Sequence, residues 1–362
     1  MRPVPLTASQ LDDLAERFVA AGVLARPSEA RWARHWSLGG SLTAVCQTPR
    51  EWVWCERLAE HVPLPKLGTT SRLPPNGVLC PPMALGSDIV AYLGLDTPVR
   101  LIDVLLRPGR GSVPGDRNAR LPPTCCAMAG AFLAGLHSQD GGQVRTPGSG
   151  HIEAAALAIT SHFLDGDRHA CVPERGPTPD ELERDFPALT AVLVSVVTEL
   201  RRAVRNSCLV HGEFRPDTVF LARAASSGGA GELRVIRTLA CGPGQPLLDV
   251  ATFLAALYEI HVRGQDVRPS APVGAMTEAV RFLDAYGRVR GHRLSQAEIA
   301  VSARLALLAL FAHFMQYLRA TGATGGWTSY LGQLDGLARD ERLALWIGGA
   351  DAERRDGGDG HG

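Results

Sequence analysis

Residues 208–221 read Cys-Leu-Val-His-Gly-Glu-Phe-Arg-Pro-Asp-Thr-Val-Phe-Leu, an apolar triplet, a polar turn and a second apolar run. Residues 242–251 read Gly-Pro-Gly-Gln-Pro-Leu-Leu-Asp-Val-Ala and lead from a Gly/Pro turn into a helical pattern. Short apolar runs bounded by turn residues read as buried strands. The first stretch therefore predicts strands over 207–210 and 218–222 with the turn His211 to Asp217 between them. A further strand is predicted over Leu233 to Ile236, after a Ser/Gly-rich hairpin tip at 226–231.

Working outward, the chain divides into a mixed, Gly/Pro-rich first half and a second half of long helical patterns. Thr178-Pro179-Asp180-Glu181 and Ser295-Gln296-Ala297-Glu298 are capping boxes, a hydroxyl at the cap and a glutamate three residues on. The first opens a helix whose apolar positions run through Leu189, Val192, Val196 and Leu200, and the second opens the last long helix. Thr124 to His137 and about 151–164 read as further helices. Thr48-Pro49-Arg50-Glu51 carries the same signal with proline at the first helical position, predicting a helix to about His61 whose Trp52 and Trp54 are expected to pack the lobes together, an exposed Trp pointing instead to a partner surface. A strand is predicted before it, Leu42 to Gln47, and another after it, Leu64 to Leu67. The expected organisation is a small lobe over 1–100 with an N-terminal helical extension, a mainly helical lobe over 101–350, and a disordered Gly/Asp-rich tail over 351–362.

Composition narrows the function. The 362 residues are 45% hydrophobic, enough to bury a core, and 37 basic residues cancel 37 acidic ones. No net field steers such a chain towards nucleic acid or an anionic membrane, so neither is an expected partner. The longest apolar run, between Arg304 and Arg319, falls short of the roughly 20 residues a spanning helix needs. With no charged segment followed by an apolar one at the N-terminus, a cytoplasmic address is expected. The 8 cysteines form no C-x-x-C pair and read as buried thiols, with no metal site expected; the vicinal Cys125-Cys126 and His313 read as core residues of helices. Lys66 is the only lysine in the chain, so any mechanism that needs a lysine has that one alone.

The two stretches quoted first, in this order and spacing, resemble the catalytic half of the aminoglycoside phosphotransferase family within the protein-kinase-like superfamily. Members show H-G-D-x-x-x-x-N, a strand ending I-D-W, and G-x-G-D-P-x-x-D-L-A entering a helix. Upstream, Arg50-Glu51 through Pro65 looks like the family's N-lobe helix and following strand, and Ala131 to His137 like its L-A-x-L-H helix. The resemblance spans about residues 40–260 and implies an α+β bilobal kinase-like fold with a small mixed N-lobe and a large helical C-lobe. It also implies the chemistry: a loop aspartate accepts the substrate hydroxyl's proton, an asparagine and a second aspartate hold Mg²⁺, and an N-lobe lysine paired with a helix glutamate clamps ATP.

Against that pattern, Glu213 stands at the base, Thr218 at the asparagine and Arg237 at the I-D-W aspartate, while Gln245 replaces the G-D-P aspartate. Glu213 keeps a carboxylate and reads either as the base or as a plain turn residue. Asp217 is a substitute metal ligand or ordinary Pro-Asp-Thr turn chemistry. A guanidinium at position 237 repels a divalent ion, and its expected role is an ion pair with Glu213 that shapes the loop without metal. Glu51 falls at the helix-glutamate position without a lysine before it, which leaves Arg31 or Arg34 to swing in. Gly39-Gly40 is a turn over a nucleotide or a plain hairpin turn. His211, Gly212, Pro216, Gly242, Gly244, Pro246 and Asp249 keep the family's residue types, and Asp249 is expected to brace the turn at His211.

These losses imply a pseudokinase, a binding or scaffolding subunit for a small molecule, a peptide or a partner enzyme, with no assured cofactor. The alternative is a live divergent phosphotransferase acting on a hydroxyl of a small molecule or of a peptide Ser/Thr, with Glu213 as base and ATP and Mg²⁺ as cofactors.

Overall fold

The computed structural model describes residues 4–38, 41–57, 71–73, 77–86, 88–106, 125–139, 177–203, 208–222, 232–238, 241–267, 273–321 and 327–349. The helix α1 (Ala8–Ala20) opens with a capping box in which Thr7 and Gln10 satisfy each other's backbone N–H groups. Its apolar face covers a five-stranded sheet of order β1-β2-β3-β7-β6, built from β1 (Arg31–Leu38), β2 (Ser41–Gln47), β3 (Trp52–Arg57), β7 (Ile89–Leu95) and β6 (Pro82–Ala84). Alternate strand residues point to opposite faces. Val53 and Cys55 accordingly join Ala44, Cys46, Ile89 and Ala91 beneath Leu14 and Phe18 of α1. Trp54 joins Val45, Val90 and Tyr92 on the other face.

That other face meets a second sheet of order β4-β5-β10-β9, with β4 (Ser71–Leu73), β5 (Gly77–Cys80), β10 (Leu233–Ile236) and β9 (Val219–Leu221). β5 pairs parallel with β10, so the first half of the chain supplies two strands to the sheet that carries the loop at 211–217. The short ladder of β8 (Cys208–Val210) and β11 (Gly242–Gly244) completes the framework.

The helix predicted over Thr48–His61 is not formed where the residues are described: β3 occupies Trp52–Arg57. Thr48 does cap, accepting from the N–H groups of Arg50 and Glu51 (3.2 and 3.0 Å), but its own N–H bonds Glu51 O at 2.9 Å and closes a β2–β3 hairpin. The same hydroxyl chemistry serves a turn as well as a helix start. What decides is the Trp-Val-Trp-Cys stretch, which buries side chains on both faces and suits a strand. Leu64 to Leu67, the 151–164 helix, the hairpin tip at 226–231 and the tail at 351–362 lie outside the described residues.

The helical part comprises α2 (Leu101–Leu105), α3 (Cys125–His137), α4 (Pro179–Asp185), α5 (Pro187–Ala203), α6 (Pro246–Val267), α7 (Val273–Arg290), α8 (Gln296–Thr321) and α9 (Trp327–Arg339). The single helix predicted after Thr178 is broken at Phe186 (φ −136°, ψ 58°) because Pro187 excludes its predecessor from helical geometry and starts α5 afresh. α3 lies along α7 at close range: a Cβ on Gly130 would sit 2.2 Å from Phe282 O, so only glycine admits this approach. Phe132, Phe214, Phe253 and Phe282 stack in series with centroid spacings of 6.1, 5.5 and 4.2 Å, running from α3 through the 211–217 turn to α6 and α7. The functional loop is thus nailed to the core through Phe214. In α8 the segment Gln296–Met315 is, by length and composition, long and apolar enough to cross a bilayer, which corrects the shorter run read from the sequence. Its 67% buried surface, with Leu305, Leu308 and Phe311 in the main core, marks it as the central helix of the bundle.

Candidate functional site

The loop between β8 and β9 is fixed from below by one buried carboxylate. Asp249, in the first turn of α6, accepts from His211 N at 2.6 Å and Gly212 N at 2.8 Å, and the expected brace is therefore present. Gly212 has φ +82°, a left-handed turn that brings both N–H groups onto the same acceptor. His137 at the end of α3 reaches Asp249 Oδ2 at 3.1 Å through Nε2 and Tyr286 Oη at 2.9 Å through Nδ1. His211 Nε2 donates to Ile236 O at 2.7 Å, because a carbonyl only accepts, and Nδ1 then accepts from Glu213 N at 3.4 Å. Both contacts fit a neutral imidazole, and burial lowers the His211 pKa against the opposing pull of Asp249.

Glu213 leaves this brace towards the small lobe. Burial first, and then the facing Glu56 carboxylate, push its carboxyl up to about 7. Glu56, on β3, accepts from Tyr92 Oη at 2.9 Å and also from Trp54, while burial holds it above the ordinary range. Asp217 is a half-exposed neighbour (41%) whose ionisation burial opposes, but Arg215 and Arg100 outweigh that and depress its pKa. Arg215 Nε contacts Asp217 Oδ1 at 3.3 Å. Thr218 donates to Arg215 O at 2.8 Å and accepts from Arg215 N at 3.2 Å, so its hydroxyl holds the turn.

The ion pair expected between Arg237 and Glu213 is not formed: Glu213 faces Glu56, and Arg237 takes another course. Arg237 N donates to Cys80 O at 2.7 Å, its guanidinium lies beside the Cys241 thiol, and Nη2 is buried without a hydrogen-bond partner. Glu51 is not on a helix, and no ion pair joins it to a described cation; it sits in the β2–β3 turn and accepts from Gly94 N. Arg34, one of the arginines considered for it, pairs with Asp103 at 3.0 Å instead, and Arg31 forms no ion pair with it. Gly39 and Gly40 lie outside the described residues, between strands in which Leu38 pairs with Ser41.

Trp54 packs the two lobes together as expected of it, though from a strand, and two further participants, Glu56 and His313, escaped the sequence reading. Trp54 is 5% exposed and stands edge-on to Phe220 of β9, with centroids 5.5 Å apart and Arg100 over its other side at 4.9 Å. Glu56 was hidden by the helix assignment, although a strand reading of Trp-Val-Trp-Cys-Glu places Trp54 and Glu56 on one face. His313 is no core residue: its side chain is 41% exposed, 3.7 Å from Glu259 Oε2, and near enough to favour the ionised form of Asp217.

A kinase-like fold implies Mg²⁺ and ATP here, and the residues do not fit them. Thr218 offers only a neutral hydroxyl already hydrogen-bonded to Arg215 N and Arg215 O, Arg237 puts a cation where an oxygen ligand is needed, and Trp54 clusters with Phe220 and Ile236 between the sheets. Among the described residues no three His, Cys, Asp or Glu side chains are grouped to hold a metal ion.

No protein-family model matches the chain, and no curated protein sequence matches it. Solved structures do. A microcompartment-associated aminopropanol kinase aligns over 92% of this chain and 99% of its own, with TM-score 0.53 and 13% identity. The Plasmodium vivax ethanolamine kinase aligns over 91% and 88%, with TM-score 0.51 and 11% identity. A choline/ethanolamine kinase family protein from Mesorhizobium loti aligns over 93% and 98%, with TM-score 0.50 and 10% identity. The expected α+β kinase-like architecture, a sheet-containing N-terminal part and a helical C-terminal part, is the one observed, and at these identities the likeness is one of fold.

Proposed function

We propose that this chain is a pseudokinase, a cytoplasmic binding or scaffolding subunit that uses the kinase-like fold without metal-dependent phosphoryl transfer. The observation that carries this reading is Arg237: its guanidinium, with a buried Nη2, holds the place that the resemblance gives to the second metal-binding aspartate, and no carboxylate among the described residues forms an ion pair with it. Charge has also changed on the opposite wall, where Glu56 faces Glu213 in a site with no lysine among its described residues. The interlobe cluster of Trp54, Phe220 and Ile236 adds a steric reason, because it fills the space between the two sheets beside the loop.

A second reading rests on one observation. Glu213, raised to about 7, is a carboxylate able to take a proton near neutrality, as a divergent phosphotransferase acting on a hydroxyl would require. The two are separated by incubating the protein with ATP and Mg²⁺ beside a panel of amino alcohols, aminoglycosides and Ser/Thr peptides and assaying ADP. The pseudokinase reading expects no ADP above the protein-free control; ADP that disappears in Glu213→Ala overturns it.

A further inference from the structure

Buried charges in proteins are paired, and an isolated ionised group costs several kcal/mol to bury. Arg237 departs from that rule at one nitrogen: among the described residues its nearest side-chain partner is the neutral Cys241 thiol, and no carboxylate pairs with it. It leaves β10 at the boundary between the two sheets, one residue past Ile236 of the interlobe cluster, with its backbone N–H fixed on Cys80 O at 2.7 Å. Its side chain is only partly exposed and its Nη2 is buried with no partner.

The surrounding groups do not neutralise it. Asp249 is spent on His211 N, Gly212 N and His137. Burial and the Glu56 carboxylate both oppose the ionisation of Glu213, and burial opposes that of Glu56. Asp217 is committed to Arg215. Cys241, the group beside the guanidinium, is pushed up to about 11 by burial and is a neutral thiol at physiological pH. A planar guanidinium cannot shed its proton, and its fork of donors matches carboxylate and phosphate oxygens.

We propose that Arg237 is the seat for an anionic group, a phosphate or a carboxylate of a ligand, bound directly by the guanidinium and without a divalent metal. This deepens the pseudokinase reading, on which it rests, by naming the chemistry of the ligand. The inversion is self-consistent: where a metal-bridged phosphate needs an acid on the protein, a metal-free anion needs a base there.

The test is thermal denaturation of the full chain in EDTA at constant ionic strength, titrated with inorganic pyrophosphate and separately with malonate, using wild type, Arg237→Gln and Arg237→Lys. Either anion should raise the wild-type melting temperature saturably, and the arm with the lower half-saturation distinguishes phosphate from carboxylate. Arg237→Gln should keep or improve the unliganded melting temperature while its half-saturation rises roughly tenfold or more, the weight of a charge-assisted hydrogen bond. Arg237→Lys, which keeps charge without the fork, should fall between them and covers the case of a misfolded glutamine variant. A wild type indifferent to both anions, or variants that respond as wild type does, overturns the anion seat and leaves the pseudokinase reading intact. Pyrophosphate binding that appears only when Mg²⁺ is restored overturns both.

Discussion

Trp54 on β3 and Phe220 on β9 meet edge to face at 5.5 Å, so the small lobe and the strand that leaves the functional loop share one aromatic joint. Edge-to-face pairs add to the hydrophobic gain of burying the rings. Replacing Trp54 by alanine should cost about 3–5 kcal/mol, the usual range for emptying a buried aromatic site. Urea unfolding measures this. The same variant should gain affinity for a small planar aromatic such as indole, since removing the ring opens a cavity between the sheets, and equilibrium dialysis checks that.

Glu213 makes stability fall with rising pH. Its carboxyl ordinarily titrates at 4.5 and is raised to about 7 in the folded chain, mainly by burial and then by Glu56. The folded state therefore binds this proton more tightly, and its contribution is whole below the unfolded value and lost as pH climbs through about 7. The loss amounts to roughly 3 kcal/mol at most. Glu56 shifts in the same direction, whereas His211, lowered by burial, acts on the acid side. Urea midpoints between about pH 5.5 and 8.5 should decline in wild type and flatten in Glu213→Gln.

Asp249 satisfies two backbone N–H groups of the loop and His137 at once. Asp249→Ala should destabilise by about 2–5 kcal/mol, since each stranded buried donor costs about 1–3. Hydrogen exchange should report the loss locally, with His211 and Gly212 amides deprotected before those of α8.

Gly130→Ala tests the α3–α7 contact. The new methyl would lie 2.2 Å from Phe282 O, so the helices must part. A loss of about 1–3 kcal/mol is expected, with the heat-denaturation midpoint as the readout; an unchanged midpoint means the helices do not approach this closely.

Much of the large lobe was legible because its signals are local and redundant. The Ser295 cap, the turn at His211 and the Gly242 to Asp249 entry each combine a turn residue with a periodic pattern, and each folds as read. The Thr48 segment failed because a hydroxyl cap looks the same before a helix or in a hairpin, and only the pairing of β3 with β2 and β7 decides. That one difference hides Glu56, which shares a face with Trp54 only in a strand, although the packing of Trp54 between the lobes is as expected. Asp249 is identifiable from its motif, but the lack of an ion pair between Arg237 and Glu213 is not: Glu56, which also acts on Glu213, is brought near it by the approach of two distant segments. His313 reads as core in sequence because helical periodicity does not say which polar position stays partly exposed.

The most direct test of a kinase-like fold without metal-nucleotide chemistry is electron paramagnetic resonance of Mn²⁺, standing in for Mg²⁺, titrated with equimolar ATP into the wild-type protein. The account expects the signal of the free Mn²⁺–ATP complex to be unchanged by the protein. A saturable loss of that signal at one site per chain, abolished in Glu213→Ala or Asp217→Ala, would contradict it.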